Sequence, residues 1–349
     1  MKKLIIAVIF IFLFYSCGSN EESKDQPSKA QTSEEQLVEG VEASVSKDRE
    51  FDLSYNFEDG QTSKYRLNSS TITNQRIESG DSIVSNEVNQ SSEYEFELKT
   101  LSQNNEEIKF ELNINSVMVK ADYNGEIVEF NSEVQNTEET LQKFPEYASF
   151  PNNKFEIIIN KQGRIVDVLN VDKVVSRYLE IQKVPTISEE ERQQLTGQLI
   201  DQALQPLSQQ IFKYMPETAI KVDSSWTLSY PSELGMFKLQ NNAVSKLNTV
   251  LDQDGKLIAK ISTNLFVDIT GDGEFTRGDV KYNFDKPEIN GEADTYFDIE
   301  CGLVTRSRST TESRTLLLIE ASNPEVGRET AQRIDHTINT NDLELIEVN

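Results

Sequence analysis

The chain has 349 residues, with 34 Lys and Arg against 59 Asp and Glu, a formal net charge of -25, and 36% hydrophobic residues that include 17 Phe and 11 Tyr. That apolar content supplies a sizeable core for one large domain or two ordinary ones. The charge repels phosphate backbones, so nucleic acid is excluded as an expected partner.

The first elements concern targeting. Lys2 and Lys3 precede an apolar run from Leu4 to Tyr15, then Ser16 and Cys17. Twelve helical residues span about 18 Å, too short for a ~30 Å hydrocarbon core, so residues 1–16 read as a secretory signal and not a membrane span. Ser16-Cys17-Gly18-Ser19 resembles the lipobox of bacterial lipoproteins, although Phe14 and Tyr15 depart from its preceding positions. The resemblance implies lipidation of Cys17, which becomes the mature N-terminus and anchors the protein in the membrane. An acylated Cys17 leaves Cys301 a lone thiol, read as a half-buried small hydrophobe. Residues 17–50 are polar and acidic and are predicted to form a disordered tether, which at ~30 residues reaches about 30 Å. Asn20, Glu21 and Glu22 resemble the acidic export signals of surface-exposed lipoproteins.

From residue 51 the apolar residues alternate. Tyr94, Phe96 and Leu98 share one face, as do Ile108, Phe110, Leu112 and Ile114, which predicts half-buried antiparallel strands. A hairpin is expected about Lys161 to Arg164, with Gly163 at positive φ. Residues 51–171 read as a one-sided meandering sheet. The period then changes. Val174 with Tyr178, and a stripe of Leu195, Leu199, Ala203, Leu207, Ile211 and Met215, predict a helical insert over about 172–215 that packs on the sheet. Ser188 with Glu191 marks a capping box, and Pro206 predicts a kink or a break.

Strands resume around Trp226, the only tryptophan and an expected core or rim aromatic, and continue through a hairpin at Asp252 to Gly255 towards residue 322. Residues 323–349 read as a polar tail, frayed at its end. The expected fold is α+β, mostly antiparallel, with a β-rich domain over 51–322: a curved sheet or half-barrel with a helical insert packed on it. This order, with Cys17, "INKQGRIVDV", "MPETAIKVDSSWTLSY" and "TYFDIECGLVTRSRST", resembles uncharacterised Bacteroidota-type lipoproteins. Such proteins are similar to the half-barrel of LolA-type and LppX-type carriers, which implies an apolar concavity for acyl chains; the N-terminal signal and Cys17 add the expectation of an outer-membrane location.

Chemistry is sparse. The single His336 and the two cysteines do not supply a zinc site of several such ligands or a convincing Ser-His-acid set, and His336 reads as a surface residue. No Gly-rich phosphate loop is present. The chain is expected to bind rather than catalyse. Either it holds an apolar or acyl ligand in a concave sheet, or it is a structural or surface module that contacts glycan or protein without a deep pocket. One stretch stands out. "DITGDGEFTRGD" places Asp268, Thr270, Asp272, Glu274 and Asp279 at positions 1, 3, 5, 7 and 12, an EF-hand-like spacing for a structural calcium. The flanks alternate as strands, so the competing reading is a plain hairpin at Gly271 to Gly273.

Overall fold

The computed structural model describes residues 41–43, 48–184, 186–323 and 327–349, all within the compact unit Val41–Asn349. The signal segment, Cys17 and most of the tether lie outside the described residues.

The strands are β1 (Val41–Glu42), β2 (Thr62–Ser79), β3 (Ser82–Gln103), β4 (Glu107–Tyr123), β5 (Glu126–Asn131), β6 (Phe155–Asn160) and β7 (Ile165–Leu169). After the helices come β8 (Ser225–Leu234), β9 (Phe237–Gln253), β10 (Lys256–Thr270), β11 (Glu274–Arg277), β12 (Val280–Phe284), β13 (Glu288–Asp298), β14 (Leu303–Asn323) and β15 (Gly327–Val348). They form one open, curled antiparallel sheet in the order β1-β9-β10-β13-β14-β15-β2-β3-β4-β6-β7. β5 joins β4, β8 joins β9, and the β11-β12 hairpin joins β14. The architecture is α+β and mostly antiparallel.

Two expectations are corrected. Residues 327–348 are not a polar tail but a 22-residue strand in mid-sheet, paired along one side with β14 and along the other with β2. Its composition misled because the face that continues the core carries Asp335, Thr337, Asn339 and Asn341, and only Leu343 and Leu345 near its end mark it as apolar. The tether, read as disordered to residue 50, is ordered at Val41 and Glu42, which pair with Asp252 and Leu251 of β9.

The helices are α1 (Glu138–Lys143), α2 (Pro145–Ser149), α3 (Asp172–Ile181), α4 (Glu189–Leu199) and α5 (Gln205–Ile211). α1 and α2 interrupt what reads as continuous sheet. Thr137 caps α1, its hydroxyl accepting from the Thr140 amide, and Pro145 opens α2. α4 begins with the Ser188–Glu191 capping box. Pro206 lacks the amide that would continue the α ladder, and a π-helical segment, Ile200–Leu204, separates α4 from α5. The wide turn adds a residue to the stripe, which is why Leu204 is fully buried where Ala203 was expected.

The core lies between these helices and the proximal half of the sheet. Residues 51–57 cross it in extended form, burying Phe51, Leu53, Tyr55 and Phe57. The Tyr55 ring meets Phe212 and Phe297 edge-on at 5.7 and 5.5 Å. Its hydroxyl accepts from the Lys213 amide at 2.7 Å and donates to the Lys213 carbonyl at 3.1 Å. Trp226 packs half-buried against the core and donates from Nε1 to the Tyr214 carbonyl at 3.0 Å. The hairpins about Gly163 (φ 83°) and Asp254-Gly255 (φ 53° and 84°) form as the turn residues require.

Candidate functional site

Directly opposed residues of an antiparallel ladder share a face, so the register sorts the distal half of the sheet into two surfaces. The inner face continues from the core. Its first row is Thr295, Ser307, Leu343, Leu67, Tyr94 and Val117 on adjacent strands. The next rows are polar and small: Ser309, Asn341, Ser69 and Ser92, then Thr311, Asn339, Thr71 and Gln90. These groups largely satisfy one another. The Asn339 amide donates to Thr71 at 2.8 Å, the Thr73 and Thr337 hydroxyls lie 3.1 Å apart, and Gln75 donates to Asp335 at 3.0 Å.

Beside this band, towards β9, β10 and β12, the inner face is more apolar, whereas along β2 and β15 it continues with Gln75, Asp335 and Arg333. Leu265, Val267 and Ile269 of β10 lie beside Ala243 and Leu239 of β9, and Phe284 of β12 opposes Leu317 of β14. Phe237 and Leu239 are buried outside the main core cluster. The curl shelters this surface: along β10 Thr263, Leu265, Val267 and Ile269 are half-buried, whereas Asn264, Phe266, Asp268 and Thr270 on the other face are exposed.

The helices meet the inner face at a tyrosine cluster. The Tyr94 and Tyr147 rings lie 6.4 Å apart, and the Gln90 amide donates to the Tyr147 hydroxyl at 2.7 Å. Burial pushes the neighbouring Glu146 carboxyl above the usual carboxylate range.

The EF-hand-like residues are not brought together. Asp268 points outward from β10 and accepts from the Asn242 amide at 3.3 Å, while Glu274 pairs with Lys281 at 2.9 Å. The tight turn is not at Gly271–Gly273 but at Gly278-Asp279, between Arg277 and Val280. Asp279 therefore lies the length of β11, about 13 Å, away from Asp272. Among the described residues no three His, Cys, Asp or Glu side chains converge so as to hold a metal ion, and the five residues do not fit calcium. The two early glycines serve packing instead. A Cβ on Gly271 would stand 2.8 Å from the Met236 carbonyl, and one on Gly273 would overlap the Phe284 carbonyl.

Of two further titratable groups, Cys301 matches its expected burial and His336 departs from its expected place. Cys301 is half-buried, and burial raises its thiol, which disfavours the thiolate. His336 does not lie beyond the last strand. It sits on β15, facing outward, with Nε2 2.6 Å from Glu312 Oε1. It belongs to an outer-face groove of about 490 Å³ lined by Arg76, Glu78, Glu288, Asn290, Glu312, Arg314, Ile334 and His336. The groove follows from the register, since Glu288, Arg314 and His336 occupy one row. The sequence signal was the alternation of charge with Ile334 and Ile338, hidden in what read as a tail.

Lys213, just past α5, is the most perturbed base. Among the described residues its ammonium has only a 3.5 Å contact with Gln210 Oε1, and burial pulls its pKa down to about 8. Between pH 8 and about 9.5 the unfolded chain keeps a proton that the folded chain has shed, so stability rises with pH in that window. Tyrosines whose folded pKa is raised reverse the trend above pH 10. Lys213→Met is expected to stabilise the fold at pH 7 by about 1–3 kcal/mol and to flatten the rise. Urea unfolding from pH 7 to 9.5 measures both; a destabilised variant with the slope intact would contradict the assignment.

Solved structures resemble the chain only loosely. A lipovitellin structure, described in terms of lipid-protein interactions, aligns over 84% of this chain at 12% identity and TM-score 0.43; this chain spans 26% of its length. An outer membrane channel from Pseudomonas putida F1 aligns over 84% of this chain and 97% of its own at 6% identity and TM-score 0.18. OccK7 (OpdD) from Pseudomonas aeruginosa aligns over 82% and 100% at 7% identity and TM-score 0.22. None superposes well enough to establish a common fold. No curated protein matches the chain. The profile of a family of unknown function, DUF6263, matches residues 105–304, from the start of β4 through the helices to the start of β14. With more than half of its length matched, the chain belongs to the DUF6263 family.

Proposed function

We propose that the protein is a non-catalytic lipoprotein of the cell envelope that holds an amphipathic acyl ligand against the inner face of its curled sheet. The observation that carries the reading is the order of chemistry on that face. A sheltered apolar surface, including Leu265, Val267 and Ile269, leads into a band of hydroxyl and amide groups on β2, β3, β14 and β15. Acyl chains gain about 25 cal/mol for each Å² of apolar surface removed from water, and a polar headgroup finds donors and acceptors in the adjoining band. The anchor in this reading is the lipid on Cys17, and the location is the outer membrane, both resting on the N-terminal sequence.

A second reading, a surface module that contacts protein or glycan, draws support from the β2-β3 tip, where Ile83 and Val84 are 58% and 52% exposed. Native mass spectrometry of the protein purified from cell envelopes separates the two. Bound lipid is expected, and Val267→Asp, at a half-buried inner-face position, is expected to remove it with the fold retained. Repeated recovery of protein without lipid would favour the surface module.

A further inference from the structure

The outer-face groove has no part in acyl binding, since an acyl chain laid there would strip water from five charged side chains and an imidazole. Its own chemistry points elsewhere. Four of those side chains are already paired: Arg76 Nε lies 2.7 Å from Glu78 Oε1, and His336 Nε2 is hydrogen-bonded to Glu312 Oε1 at 2.6 Å. That leaves Arg314 and Glu288. They oppose each other across the β13-β14 ladder with Cα atoms about 5 Å apart, both are exposed, and among the described residues neither makes an ion pair or side-chain hydrogen bond. One cation and one anion without a protein partner among the described residues thus stand side by side, open to solvent, in a groove of about 490 Å³, within the size range of small-molecule sites.

No Phe, Tyr or Trp lines the groove, so a sugar lacks the broad apolar ring face on which it stacks. A simple anion would suit Arg314 but would meet three carboxylates in the groove and a chain of net charge -25. A ligand that carries both charges avoids that repulsion. We propose that this groove is a second binding site, for a small zwitterion of the amino-acid or dipeptide class. Its carboxylate takes the fork of Arg314 donors and its ammonium takes the Glu288 carboxylate, with Asn290 beside them for an amide. The β15 side chains Ile334 and His336 form the floor. The pairing of His336 with Glu312 keeps that carboxylate from competing for Arg314.

The test titrates the full chain, held in detergent, with L-alanyl-L-alanine by calorimetry. Binding is expected, and N-acetylation or C-amidation of the dipeptide is expected to weaken it at least tenfold each. Arg314→Gln is expected to weaken the dipeptide similarly and to abolish the penalty for amidation; Glu288→Gln does the same for acetylation. Both positions are exposed, and an unchanged unfolding midpoint checks that the variants fold. L-Alanine in place of the dipeptide tells a single amino acid from a dipeptide: comparable affinity assigns the former, and at least tenfold weaker binding the latter. The proposal is overturned if neither probe binds, if the blocked dipeptides bind as well as the free one, or if both variants behave like the parent.

Discussion

Gly163→Ala is expected to cost more than about 4 kcal/mol of stability, at the extreme of single substitutions. Gly163 turns the chain between β6 and β7 at φ 83°. A Cβ there would overlap both the carbonyl oxygen of Lys213 and the ring of Tyr55. Neither neighbour can withdraw. The Lys213 carbonyl is held by the Tyr55 hydroxyl, and the Tyr55 ring is wedged between Phe212 and Phe297. The same turn is fastened on both sides, with the Met215 amide donating to the Gln162 carbonyl at 2.8 Å and the Tyr55 amide to the Lys161 carbonyl at 2.9 Å. Gly255→Ala is the matched control, because Gly255 has nearly the same φ, 84°, with nothing within 4 Å of the added carbon. It carries only the conformational cost, about 1 kcal/mol. Urea unfolding of the two variants isolates the steric part. If Gly163→Ala lay within 1 kcal/mol of Gly255→Ala, the turn would not be the clamp between helix exit and core.

The contrast between Gly163 and Asp279 shows what the sequence makes legible. Gly163 lies in a local turn between two alternating strands, and local geometry follows from local residues, as it does at Ser188 and Glu191. The calcium spacing was also local, yet it presumed a single loop from Asp268 to Asp279. The chain instead leaves β10, makes a separate hairpin about Gly278, and pairs β12 with β14, a partner some forty residues away that no spacing within the loop announces. The inner-face band was hidden for a related reason. Its Ser, Thr and Asn residues are half-buried through partners on other strands, such as Thr73 with Thr337, and only the register reveals that they form one surface. Sheet order is non-local information; alternation says that a strand exists and not which strand it meets.

β15 is where that gap has the largest consequence. Ending the chain at Asn323 is expected to abolish folding of the whole unit, although the removed residues look dispensable by composition. β15 is the strand that joins β14 to β2, and so joins the two halves of the sheet. The two ladders pair 18 and 17 residues of it, so on the order of 35 backbone hydrogen bonds depend on it, and at roughly 0.5–1.5 kcal/mol each their loss exceeds a typical domain stability of about 5–15 kcal/mol. The core also loses Leu343, which is 1% exposed, and the cut leaves two long unpaired edges on β14 and β2 that invite aggregation. The truncated chain is therefore expected in the insoluble fraction, and a peptide of residues 327–349 supplied during expression is expected to restore soluble, cooperatively unfolding protein by adding the missing strand. A truncated chain that stayed soluble and unfolded at the parent's urea midpoint would mean that the two halves of the sheet stand independently. The register, with β15 paired along both edges, argues that they do not.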